Sequence, residues 1–147
     1  EQYLRSSPPS YADIETARAY ALKTLTDLGN VKPIRYELIG VAGTPTTLAA
    51  LDLHLTRFDA EKVNGHVLSL KRIKAIFEKM KNQTLDQILT SPLIPPGRAD
   101  IIVAGALILI EFMSLYRFDR IRVSTRGLRY GLILRELERS RSSVGYN

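Results

Sequence analysis

The sequence contains no cysteine. Disulfides and thiolate metal sites are therefore excluded, and the composition fits a reducing compartment such as the cytoplasm. Histidine is scarce: His54 and His66 are the only two, and their spacing matches no metal-ligand pattern. They read as a helix end and a turn. Long apolar runs are also missing. The longest, Ile101 to Ile110, is bounded by Asp100 and Glu111, whereas a membrane span needs about 20 such residues. It reads as a buried helix, with no membrane partner expected. The polar, proline-rich stretch from Glu1 to Ser10 lacks the apolar segment of a secretory leader. No internal repeat is visible, and no two carboxylates are spaced as a catalytic pair.

At 147 residues the chain suits one domain, long enough to bury about two-thirds of its unfolded surface. Apolar residues make up 45% and charged ones 24%, a balance that supports a packed core rather than disorder. The formal net charge is +6, and the basic residues cluster. Lys71, Arg72, Lys74, Lys79 and Lys81 form one group. Arg117, Arg120, Arg122, Arg126, Arg129, Arg135, Arg139 and Arg141 form another. Such an excess suits polyanionic partners, whether phosphate chains, nucleotides, nucleic acid or acidic protein surfaces. A solvated surface with surplus lysine and arginine explains the same composition. Specific nucleic-acid reading is not expected, because no row of aromatics interleaves with the lysines for base stacking.

Pro8-Pro9 stops any preceding regular structure, and Ser10 with Asp13 forms a capping box. Ile14, Ala17, Ala21, Leu25 and Leu28 follow at helical spacing, with Gly29-Asn30 as the stop. After Lys32-Pro33, the segment Ile34 to Val41 predicts a strand. It runs into a glycine turn, where Thr44 reads as an N-cap and Pro45 as the first residue of a helix to about His54. Asn64-Gly65 marks a turn. Leu70, Ile73, Ile76, Phe77 and Met80 predict an amphipathic helix with the lysine group opposite, and Thr84 to Gln87 predicts a second capping box. Pro92, Pro95 and Pro96 enforce a loop. Arg98 to Tyr116 predicts the longest helix, central in the fold, with Asp100 at the positive end of its dipole. Asp119 to Thr125 alternates as a strand, and Gly127 to about Glu138 predicts a last helix carrying Leu128, Leu132, Ile133 and Leu137. Residues 140–147 read as a polar tail. The order is α/β with a parallel strand pair, and two strands alone are too few for a stable sheet.

Two places carry candidate chemistry. The first is Gly40-Val41-Ala42-Gly43-Thr44-Pro45-Thr46-Thr47. A glycine turn lets backbone approach a ligand, the following helix offers free N–H groups and a positive dipole end, and Gly43, Thr44, Thr46 and Thr47 add donors for an anion. No lysine follows the glycines, so this is not a Walker A loop. An ordinary strand-to-helix turn remains the alternative. The second place is the carboxyl end of the second strand, where open α/β sheets gather ligands. Arg126 and Arg129 stand there, able to grip phosphate oxygens or simply to be solvated.

Three segments together resemble the Ppx/GppA phosphatases, the exopolyphosphatase and guanosine pentaphosphate phosphatase family. Gly40 to Ala50 resembles the segment after a core strand, Arg98 to Leu109 the central helix, and Val123 to Leu132 the last strand and helix. Glu1-Gln2-Tyr3-Leu4 with Pro8-Pro9 resembles the lead-in to the first helix. The resemblance implies a ribonuclease H-like domain of the actin-like ATPase class, partial, lacking its leading antiparallel strands. Residues 1–139 would be the C-terminal part of the second domain.

The resemblance further implies hydrolysis of the terminal phosphate of polyphosphate or guanosine pentaphosphate with Mg2+. The water-orienting carboxylate, the metal ligands and the main phosphate loop would lie in a missing N-terminal half of the core. This chain would supply one cleft wall through Gly43, Thr44, Thr46 and Thr47, with Arg126 and Arg129 as further contacts, and no catalytic residue. Alone it would be inactive, and self-association into a homo-oligomer is expected at its open sheet edge. Three departures stand out: Asn64 where histidine is common, Thr125 where aspartate is usual and Tyr130 where glutamate is usual. The last two leave Arg126 and Arg129 without their customary partners.

Overall fold

The computed structural model describes Leu4 and residues 6–29 and 36–144. The Glu1-Gln2-Tyr3 lead-in, Lys32-Pro33 and the expected strand start at Ile34 lie outside the described residues, and of the described part of that expected strand only Ile39 and Gly40 form one. Helix α1 (Tyr11–Thr26) begins as the sequence predicts: Ser10 Oγ accepts from the Asp13 N–H, and the Asp13 carboxylate accepts from the Ser10 N–H. Ile14, Ala21 and Leu25 are buried, while Leu28 lies beyond the helix end and is exposed.

Strand β1 (Ile39–Gly40) leads into α2 (Gly43–Asp52), then come short α3 (Ala60–Val63), β2 (Val67–Ser69), α4 (Leu70–Met80) and α5 (Leu85–Leu89). A 3-10 turn (Pro96–Arg98) precedes α6 (Ile102–Leu115), followed by β3 (Arg120–Val123) and α7 (Leu128–Val144). The sheet order is β1-β3-β2. β1 pairs parallel to β3, with Ile39 opposite Arg122, as the sequence pattern requires. β2 pairs antiparallel to β3, with Leu68 opposite Ile121. The sequence reading missed β2, because three residues are too few to show an alternation. Helices α2 and α4 lie against the sheet, α6 packs on both, and α1 covers α6 from outside.

The core forms where these layers meet. Leu48, Leu68, Ile73, Leu107, Met113, Ile121 and Val123 are almost wholly buried, so truncating any one to alanine is a loss of about 2–5 kcal/mol for the longer side chains. Two polar ties set α1 on α6. Arg18 Nε donates to buried Glu111 at 2.9 Å, and the Tyr116 hydroxyl donates to the Leu25 carbonyl at 2.6 Å. A carboxylate on so apolar a helix is tolerable only with such a partner.

Three expectations are corrected. Helix α6 starts at Ile102 rather than Arg98, and Asp100 does not cap it: the cap position is Ile101, without a side-chain hydrogen bond. Pro95 and Pro96 send the chain in through tight turns instead, the Arg98 and Ile101 N–H groups bonding to carbonyls three residues back. Thr44 is not the cap of α2. That position belongs to Ala42, which puts Pro45 third in the helix, still within the first turn, where its missing N–H costs nothing. Finally, α7 runs on to Val144, beyond the expected end near Glu138, and its apolar residues between Leu128 and Leu137 are exposed. Among the described residues no helix is long and apolar enough to cross a membrane.

Candidate functional site

Parallel pairing of β1 with β3 sends both following loops out of the same end of the sheet. Gly40 lies opposite Val123, so the Val41–Ala42 turn and the Ser124–Gly127 turn are neighbours. Gly40 is fixed there by packing, since a Cβ on it would meet Ile121 at 2.6 Å and Pro45 at 2.8 Å. Ala42 then takes a positive φ of 69° with ψ −165°, a conformation that favours glycine. The kink aims the start of α2 outwards. As at any helix start, the Gly43 and Thr44 N–H groups have no partner within α2, and among the described residues they have no other acceptor.

Over this start lies a cation that the sequence reading did not single out. A Cβ built on Gly43 would fall inside the Arg98 guanidinium, so Gly43 is needed for Arg98 to lie against the turn. Arg98 is exposed and has no ion pair among the described residues. Its separation from Gly43 along the chain hid the contact, and only the return of the chain through the Pro95–Pro96 loop creates it. The side chain of Thr44 rests on Gly105 of α6, where a Cβ would come within 2.5 Å of its hydroxyl oxygen. Two glycines, at 43 and 105, thus let the start of α2 and the entry to α6 close together.

The other predicted contacts sit as follows. The Thr46 hydroxyl donates back to the Ala42 carbonyl at 2.8 Å, tightening the turn. Thr47 is buried with Leu48. Arg126 and Arg129 are exposed at the start of α7, and the Arg126 guanidinium lies 5.1 Å from the centre of the Tyr130 ring. Asn64 and Thr125, two of the departures noted above, touch: Asn64 Oδ1 accepts from the Thr125 N–H at 3.1 Å and from its hydroxyl at 3.3 Å.

A second polar cluster lies at the far end of α2. Asp52 accepts from Arg72 Nε at 2.5 Å and from His66 Nε2 at 2.8 Å. Burial alone would push the Asp52 carboxyl up, but these two partners hold it below its ordinary value. The three residues come from α2, the approach to β2 and α4, so no local pattern announced them. No group of three histidine, aspartate or glutamate side chains able to hold a metal exists among the described residues.

The Ppx/GppA phosphatase family profile matches residues 1–140. The chain belongs to that family. It is 28% identical over 140 residues to exopolyphosphatase 2 of Mycobacterium tuberculosis, covering 91% of this chain and 44% of that protein. It is 31% identical over 125 residues to the bifunctional 3-dehydroquinate synthase/phosphatase of Fusobacterium nucleatum, covering 83% of this chain and 18% of that protein. The crystal structure of the Aquifex aeolicus Ppx/GppA family member superposes with a TM-score of 0.86 at 27% identity, over 94% of this chain and 44% of that one. The chain thus spans less than half the length of these relatives. The α/β fold with its small mixed sheet is the fold of Ppx/GppA structures, and within it the glycine turn, Arg98 and the Ser124–Gly127 turn share one end.

Proposed function

We propose that this chain forms one wall of the phosphate cleft of a phosphoanhydride hydrolase, the second lobe of an actin-like core. The reaction releases terminal phosphate from inorganic polyphosphate or guanosine pentaphosphate. The observation that carries this reading is the convergence of the Gly43 and Thr44 N–H groups, the dipole of α2 and the Arg98 guanidinium, without an ion pair among the described residues, at one turn of a Ppx/GppA chain. Fixed donors of this kind stabilise charge on a phosphoryl group without reorganising. The guanidinium adds a fork matched to two phosphate oxygens. In this reading Arg98 joins Gly43 and Thr44, while Thr46 shapes the turn. Thr47 is a core residue, and Arg126 and Arg129 line the neighbouring loop. The attacking water is oriented from outside this chain, which by itself does not turn over substrate.

Calorimetric titration of the chain with tripolyphosphate tests the binding half of this proposal. Arg98→Gln is expected to weaken binding about tenfold, the scale of one charged hydrogen-bonded contact. Gly43→Val should do likewise by displacing the guanidinium, with little change in unfolding midpoint because Arg98 is exposed and free to move. Unchanged affinity in both variants would remove the turn from the site. The catalytic half is read from phosphate release with magnesium, where turnover by the chain alone would contradict the proposal. A basic module that binds any polyanion is the competing reading; it predicts equal sensitivity to loss of Lys71 or Lys74 and a steep dependence on salt.

A further inference from the structure

A cavity of about 530 Å³ opens at the other end of α2, between its last turn, α4, α5 and the loop before Pro95. Helix α2 has 10 residues, which at 1.5 Å per residue sets this cavity about 15 Å from the Gly43 turn. It is separate from the candidate phosphate site, and its size lies within the range of small-molecule pockets, about 300–1,000 Å³. The floor is apolar: Met80, Ile88 and Leu93 line it and are buried. The rim is polar and carries positive charge. Lys79 lines it, is exposed and has no ion pair among the described residues. Gln83 stands beside it, and Gln87 uses its amide oxygen on the Thr84 N–H, which leaves its NH2 to donate. Arg72 completes the rim, with its Nε on Asp52 and its terminal nitrogens unbonded to that carboxylate. Among the described residues no aspartate or glutamate lines the cavity.

We propose that this cavity binds a small molecule with an anionic head on an apolar body. The head meets Lys79 and the amides of Gln83 and Gln87, and the body lies on Met80, Ile88 and Leu93. An apolar floor rewards only the body, and an ammonium with no ion pair among the described residues favours a negative head, so the two together select an amphipathic acid. A carboxylate and a phosphate ester share this chemistry.

The chain holds two methionines, Met80 and Met113. Met80 lines the cavity and Met113 is fully buried in the core, so methyl-labelled methionine gives one reporter and one internal control. The probes are decanoate and decyl phosphate, each below its micelle concentration, with decanol and inorganic phosphate as controls. Saturable movement of the Met80 methyl with an acid, while Met113 stays, is the expected result, and the tighter acid names the head group. Lys79→Gln should weaken that binding about fivefold, the scale of one exposed ion pair. Lys71→Gln should not. A silent Met80 overturns the proposal, as does decanol binding as well as either acid, or Lys79→Gln without effect. Joint movement of Met80 and Met113 also overturns it, because it means the core is loosening. Inorganic phosphate should leave Met80 unmoved whether or not it binds at Gly43, which keeps this test independent of the phosphate site.

Discussion

Ala42 sits at φ 69° and ψ −165°, the residue on which the direction of α2 turns. An L side chain there costs on the order of 1–3 kcal/mol, and glycine does not. Ala42→Gly should therefore raise stability by about 1 kcal/mol in urea unfolding, after allowance for glycine's larger entropy in the unfolded chain. A loss of stability would mean the turn is unstrained. Asp52 offers a second test. Its carboxyl is held below the ordinary range in the folded chain, so its contribution is complete above about pH 4 and is lost as pH falls through the folded value. Asp52→Asn should cost about 1–2 kcal/mol at pH 7, with the solvent around Arg72 keeping the figure modest. The gap between the two stability curves should narrow as pH falls through the folded value, and a gap independent of pH would exclude the charge as its cause. At this scale the sequence showed Gly43 and Thr44 but not Arg98 or the positive φ of Ala42. Composition can announce a glycine turn. Which of its residues bears the strain depends on tertiary packing, in which Gly40 lies against Ile121 far along the chain.

Among the elements, helices were legible wherever a cap and an apolar stripe coincided. The Ser10 and Thr84 capping boxes form as written, and Ile73, Phe77 and Met80 face the core of α4 as their spacing requires. The entry to α6 misled because Asp100 resembles a cap, while Pro95 and Pro96 impose tight turns that leave no role for one. β2 is set by pairing with β3, a long-range effect without a short-range signature. β1 carries the element-scale prediction. The Leu38 and Gly40 carbonyls accept from Arg122 and Ser124 of the neighbouring strand segment, so the backbone of Ile39 points to the opposite edge, unpaired among the described residues. Tyr36, Ile39 and Val41 are exposed beside it. Such an edge templates pairing with another strand. Light scattering at micromolar concentration should show association that Ile39→Lys suppresses. A monodisperse wild-type monomer with a strongly protected Ile39 amide would show that the edge is closed within the chain.

As a whole molecule, the chain is a packed helical body on one small sheet, with α7 carried outside it. The apolar spacing of Leu128, Ile133 and Leu137 was legible, yet nothing in the described fold buries them, because amphipathicity identifies a face and not its partner. Family membership was legible from three segments in order, and the superposition on the Aquifex aeolicus structure bears it out. The central claim is that the Gly43 turn with Arg98, rather than the general basic surface, receives the phosphate chain. Amide NMR of the chain titrated with tripolyphosphate at physiological salt tests it most directly. The account predicts saturable shifts that are largest at the Gly43 and Thr44 amides and at the Arg98 Nε–H, and lost together in Arg98→Gln. Shifts centred on Lys71 and Lys74, or spread along α7, with Gly43 and Thr44 unmoved, would contradict it.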